Sequence, residues 1–249
     1  MSSLENQRFV CIDCEATGLD PQNDHVIEVA AVVFTFKDVL AEYESLVDPE
    51  CPIPEKSIAI HHITQDMVVG KPKIADVLHP LMDLVGDALI IGHGIEYDLK
   101  ILANEAQRVG IATNFLSRPF IDTLRMARLY GESPVNSLER LRAHFNIAAE
   151  GAHRALNDAK VNMEVFKQLA RRYKSVKQIL EILAKPIQMK LMPLGKHKGR
   201  LLKDIPIEYL QWAVNKDFDQ DLLYSLKLEI KRRRKGGHFS QAANPFGSL

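Results

Sequence analysis

The stretch Phe9–Leu19, FVCIDCEATGL, constrains this chain more than any other. Phe9, Val10, Cys11 and Ile12 favour a strand, and the run ends at Gly18. Just before that end stand two carboxylates, Asp13 and Glu15. Strand side chains alternate faces, so residues two apart point the same way. Asp13 and Glu15 therefore share a face at the C-terminal end of an apolar strand. Like charges so placed repel unless a cation or a shared proton offsets them. Hard divalent cations bind such oxygens. A strand that runs out into a polar loop leaves the same local signature, so the pair needs support from elsewhere.

The next segment limits the topology. The cluster Asp20-Pro21-Gln22-Asn23-Asp24 reads as a turn, and Val26–Phe36 (VIEVAAVVFTF) as a second strand close enough to pair antiparallel with the first. Glu28 is the one charge in that run. Tyr43–Val47 reads as a third strand, Ile74–Val85 as a helix with apolar spacing, and Ala88–Gly92 as a short buried strand. A helix from about Glu96 to Val109 follows, then a short strand Pro119–Asp122 running into a helix through Tyr130. Ser137 is placed to cap a helix to about Phe145. Gly151 precedes a long helix from about Arg154 to Tyr173, and Ser175–Ala184 is a further helix stopped by Lys185-Pro186. Strands followed by crossover helices predict an α/β fold whose sheet is mixed because of the early hairpin. In such sheets ligands bind beyond the carboxyl ends of the strands, where Asp13, Glu15 and His93 fall.

After Pro186 comes something smaller: a loop LGKHKGRLL at 194–202, a helix Ile207–Val214 containing Trp212, and a helix Gln220–Arg234. The expected division is a main domain at 1–174, a helix and linker at 175–190, a small basic helical module at 191–235, and a disordered Gly/Ser/Asn-rich tail at 236–249. Trp212 is read as core, given Leu210, Ala213 and Val214 around it. The chain is neutral as a whole but unevenly charged. Residues 181–249 carry 13 Lys+Arg against 7 Asp+Glu, and the other 180 residues carry 19 against 25. An acidic front and a basic back suit a carboxylate site joined to something that holds a polyanion, although Lys231–Lys235 (KRRRK) contributes much of the excess. The three cysteines are too few for a disulfide framework, and Cys11 and Cys14 point to opposite faces of a strand, which excludes a zinc or redox pair. The N-terminal MSSLENQRF lacks an apolar targeting segment and no apolar run is long enough to span a membrane. A cytoplasmic protein without a membrane partner is expected.

Two more acids and a histidine join the first pair. Asp98 opens the helix after the Ala88–Gly92 strand, and Asp158 lies in the long helix with His153 five residues before it. On an ideal helix those two would stand roughly 140° apart. Both can face one site only if His153 precedes the helix, which Gly151 permits. A histidine beside four acids is suited to act as a general base on water.

Asp13-Cys14-Glu15-Ala16-Thr17-Gly18-Leu19, His93-Gly94-Ile95-Glu96-Tyr97-Asp98 and His153-Arg154-Ala155-Leu156-Asn157-Asp158-Ala159 resemble, in order, the three motifs of the DnaQ-like 3′–5′ exonucleases of the DEDDh type. Proofreading epsilon subunits of bacterial DNA polymerase III belong to that group. Weaker matches lie at Val26–Ala31, 60–64, 121–123 and 136–138. The resemblance implies an RNase H-like fold and two Mg²⁺ or Mn²⁺ held by Asp13, Glu15, Asp98 and Asp158, with His153 as base. It places Thr17, Gly18, Leu19, His61, His93 and Tyr97 against the substrate; Leu19 would pack on a base or else be a core leucine. Gly94 departs from the family's usual Asn, Tyr97 from its usual Phe, and His62 from the glycine that follows His61. The two loop histidines are also read as plain surface residues. The C-terminal stretch resembles a compact module appended to some bacterial exonucleases. There Lys196, Lys198, Arg200 and Lys203 are candidates for sequence-independent phosphate contacts, or form a solvated basic loop.

Three functions fit. One is a metal-dependent 3′–5′ exonuclease acting on DNA 3′ ends, single-stranded or frayed, in proofreading or repair, and releasing nucleoside monophosphates. The second is an RNA 3′-exonuclease. The third is a non-catalytic module that tethers nucleic acid or a replisome. A DNA polymerase and a sliding clamp are the protein partners to consider; Gln188–Met192 (QMKLM) loosely resembles a clamp-binding peptide but lacks its aromatic anchor. The intact set of acids favours catalysis.

Overall fold

In the computed structural model, residues 4–130, 136–148 and 154–241 are described. They fall into two compact units: one of Met1–Ala127 and Ser137–Ile182, the other of Arg128–Asn136 and Leu183–Leu249.

The first unit is built on five strands: β1 (Phe9–Ala16), β2 (Val26–Phe34), β3 (Val39–Leu46), β4 (Leu89–Gly92) and β5 (Phe120–Asp122). Their order in the sheet is β3-β2-β1-β4-β5. β1 pairs antiparallel with β2 and parallel with β4, and β4 parallel with β5, so the sheet is mixed as expected. All nine residues of β2 are buried. β3 starts earlier than its apolar residues suggest, because a partly exposed outer strand can carry polar side chains on its solvent face. Between β3 and β4 lie α1 (Glu55–His61), α2 (Gln65–Val68) and α3 (Ile74–Val85). Then come α4 (Glu96–Arg108), α5 (Thr123–Tyr130), α6 (Leu138–His144), α7 (Ala155–Ala170) and α8 (Val176–Leu183).

The alternation of β1 decides what each face meets. Phe9 stacks with Phe34 at 5.5 Å and meets Phe166 of α7 at 5.0 Å. Val10, Ile12 and Ala16 point the other way, into the core shared with Leu78 and Leu81 of α3 and Leu99 and Leu102 of α4. Cys11 lies on the α7 side and Cys14 packs against the α3–α4 core, so the two thiols do face apart.

The second unit has its own core of Met192, Leu202, Ile205, Leu210, Ala213, Leu222, Leu226 and Ile230. Its helices are α9 (Ile207–Ala213) and α10 (Gln220–Gln241). A bridge between Leu191 and Leu201 closes the basic loop. Buried Asp221 accepts from Arg128 Nη1 at 2.7 Å and from the Ile187 N–H at 2.9 Å. Two features depart from the sequence reading. α10 continues to Gln241 rather than stopping near Arg234, since extending an existing helix costs far less than starting one; residues 242–249 of the expected tail lie outside the described residues. Trp212 is 51% exposed and is not a core residue. The apolar contacts of α9 are made instead by Leu210 and Ala213. Among the described residues no helix is long and apolar enough to cross a membrane.

Candidate active site

Asp13 and Glu15 lie on the same face of β1 as Phe9, the face that α7 covers. Asp158, in the first turn of α7, therefore comes to meet them. Asp13, Glu15 and Asp158 each offer an oxygen within 4.8 Å of the others. Among the described residues no other group of three His, Cys, Asp or Glu side chains is gathered this closely. Asp98 approaches from the start of α4, and its Oδ1 accepts from the Cys14 N–H at 2.9 Å. The structure thus brings the four expected acids around the end of β1. His153 lies outside the described residues; α7 begins at Ala155 with Arg154 as its cap.

The cluster is electrostatically loaded. Withdrawal from water, then the charges of Asp98, Glu15, Asp158 and Glu28, push the Asp13 carboxyl well above the carboxylate range. Glu15 is raised to about 8, by burial first and then by Asp158 and Glu28, with Arg154 opposing. Burial raises Asp98 to about 7 against the stabilising Cys14 N–H. Carboxylates that resist ionising together because they crowd one another form a donor set that a hard divalent cation satisfies. The residues fit such a cation.

Glu28 and Arg154 hold this arrangement, and sequence reasoning does not pick out either as a site residue. Glu28 stands opposite Glu15 in the β1–β2 register and is fully buried. Arg154 grips its carboxylate through Nε at 2.9 Å and Nη2 at 2.6 Å. The Ala155 N–H adds a third donor at 2.9 Å. The start of α7 is thereby clipped to β2. The lone charge inside the apolar run of β2 is the available signal. Asp122 falls in the weaker match at 121–123 and is not among the expected site residues. Its Oδ1 accepts from Gly94 and Leu124 N–H groups at 2.9 and 2.8 Å, fixing the turn after β4.

The turn after β1 is braced from three sides. Thr17 donates its hydroxyl to Asp24 at 2.9 Å. Ser57 donates to the Thr17 carbonyl at 2.6 Å. Tyr97 donates to the Gly18 carbonyl at 2.5 Å, and burial raises its pKa so that it keeps this proton. A Cβ on Gly18 would collide with the Asp24 carboxylate, so glycine is needed here for internal packing. Leu19 is 89% exposed, which removes the core alternative. His93 places Nδ1 3.0 Å from the Thr123 hydroxyl, itself 2.6 Å from the Asn162 side-chain oxygen.

Of the two adjacent histidines that close α1, one departs from the exposed pair expected. His61 is buried, and its Nδ1 accepts from the Ile63 N–H at 3.0 Å. His62 is exposed and caps the helix at φ +59°. That left-handed conformation is one that glycine adopts without strain, so the glycine that the sequence resemblance implies after His61 would suit this position. Gly94 has φ +74°, a region open to glycine and asparagine alike, so its replacement of Asn keeps the backbone intact. In the second unit Lys196, Lys198, Arg200 and Lys203 are all exposed.

Residues 10–166 match the family described as "Exonuclease". The chain belongs to the exonuclease family. Its expected RNase H-like α/β fold with added C-terminal helices is borne out. Residues 178–231 match a second family, described as "Putative quorum-sensing-regulated virulence factor". Over 165 residues this exonuclease-family chain is 35% identical to the DNA polymerase III subunit epsilon of Aquifex aeolicus, covering 66% of this chain and 81% of that protein. It is 31% identical over 196 residues to a PolC-type DNA polymerase III of Clostridium perfringens, covering 76% of this chain but 13% of the polymerase's length. Exonuclease X in complex with 5′ overhanging duplex DNA shares the fold at 24% identity, with a TM-score of 0.57 over 70% of this chain and 98% of that one.

Proposed function

We propose that this chain is a divalent-metal-dependent 3′–5′ exonuclease that removes nucleoside monophosphates from DNA 3′ ends, in proofreading or in repair. The observation that carries the proposal is the convergence of Asp13, Glu15 and Asp158 oxygens within 4.8 Å, beside Asp98. A purely tethering module has no use for four carboxylates forced together against their own repulsion. The names of the relatives, epsilon subunit and PolC-type polymerase, support DNA as the polymer and a DNA polymerase as a partner.

Asp13, Glu15, Asp98 and Asp158 would hold two Mg²⁺ or Mn²⁺ ions, whose chemistry when bound is to acidify water and offset phosphate charge. Four carboxylates balance the charge of two such ions. The chain's own residues supply the rest. The turn at Thr17–Leu19, locked by Tyr97, Ser57 and Asp24, presents Leu19 to the terminal base. His93, oriented by Thr123, stands at the end of β4 on the same rim of the sheet. His153, next to the clipped Arg154, is proposed to take the proton of the attacking water.

The test uses 5′-labelled single-stranded DNA and RNA of one sequence, with Mg²⁺, with EDTA, and with Asp13→Ala. A ladder shortening from the 3′ end of DNA, absent in both controls, is the expected result. Faster shortening of RNA would move the activity to RNA processing. No shortening of either polymer would leave the acids without the proposed role.

A further inference from the structure

The basic unit displays the chain's single tryptophan. Tyr209 and Trp212 stand three residues apart on α9, one turn along the helix, with ring centroids 5.2 Å apart and planes at 41°. Trp212 is half in solvent. Lys216 Nζ lies 4.9 Å from the Trp212 ring centroid, and Lys196 Nζ lies 5.1 Å from that of Tyr209. Buried His197 packs against Tyr209 with ring centroids 4.4 Å apart and planes at 81°. Lys198, Arg200 and Lys203 continue the charge along the loop. Glu208 is the one acid in α9.

We infer that Tyr209 and Trp212 form a stacking platform for single-stranded DNA, with Lys196 and Lys216 placed to meet the phosphates that flank the stacked bases. Two features point to this occupant. Adjoining aromatic rings held partly in water are surfaces on which bases stack, and each has a lysine ammonium over one face, which a stacking base displaces toward its own flanking phosphate. Two lysines, one beside each ring, match a strand long enough to place a phosphate at each of them. Stacking of this kind is indifferent to sequence, as a nuclease that shortens any strand requires. The identity of the polymer rests on the exonuclease reading; the platform itself does not.

Because the chain has no other tryptophan, the emission of Trp212 reports the platform directly. The full chain in EDTA, where no cleavage can occur, is titrated with unlabelled dT20, and affinity is measured in parallel by anisotropy with labelled dT20. The expected result is quenching of Trp212 that saturates with binding and is reversed by salt. Trp212→Ala should weaken binding about tenfold or more, and Trp212→Phe much less. Lys196→Gln and Lys216→Gln, surface changes that leave the core intact, should each flatten the salt dependence by about 0.7 in log–log slope. Binding without quenching, or binding undiminished in Trp212→Ala, overturns the platform, as does absence of binding. The cleavage assay separates the two readings: quenching by dT20 in a chain that degrades nothing with Mg²⁺ keeps the platform and removes the exonuclease.

Discussion

Asp13 and Glu15 owe their chemistry to crowding. Each would ionise readily in water; together, half-buried, and facing Asp158, they hold protons to unusually high pH. Glu15 titrates near 4.5 in the unfolded chain and at about 8 in the folded one, so the folded state binds more protons between those values and stability falls as pH rises through them. A divalent cation takes over from the protons and should stabilise more at high pH. Melting temperatures measured with Mg²⁺ and with EDTA should therefore differ by about 3 °C more at pH 8 than at pH 5.5. A difference independent of pH would mean that the ion binds elsewhere. Asp158→Asn keeps the size of the side chain and removes its charge. It should lower kcat by ~10²–10³-fold or more while the circular dichroism spectrum stays unchanged.

At the scale of elements, α7 matters because its first turn carries Asp158 and its cap touches Glu28. Truncating Arg154 to Ala takes the guanidinium from a fully buried carboxylate that keeps the Ala155 N–H as a donor, at a cost of about 3 kcal/mol. Glu28→Gln leaves a half-exposed guanidinium instead and should cost about 1–2 kcal/mol. The double variant should lose less than the sum, which urea denaturation can read. Additive losses would show that the pair is not coupled. α1 offers a simpler case. His62→Gly relieves the left-handed cap and should raise stability by about 1 kcal/mol. What is legible in the sequence divides along these lines. The acids of β1, α4 and α7 are readable because strand alternation and motif spacing are local facts. The Glu28–Arg154 clip is not, since its partners are 126 residues apart and nothing local says where a buried charge finds its counterion. Trp212 misleads for a related reason: apolar neighbours in sequence do not tell which face of a short helix turns inward.

Across the whole molecule, neutrality hides a division between an acidic unit that carries the carboxylate cluster and a basic C-terminal one. A strand meeting the basic unit releases counterions, so its affinity depends on salt, whereas proton transfer and bond cleavage among buried acids depend on it far less. The exposed loop cations Lys196, Lys198, Arg200 and Lys203 can be changed to Gln together without entering the core formed by Met192, Leu202 and Leu210. With a 20-nucleotide single strand, this variant should keep kcat within about twofold, because the four acids are untouched. Its KM should rise several-fold at low salt. The slope of log kcat/KM against log salt should become shallower by about 0.7 for each phosphate left without its cation, approaching about 2.8 if all four cations engage the backbone. An unchanged KM and slope would assign the loop's charge to solvation. A fall in kcat at constant KM would instead tie the loop to the chemistry.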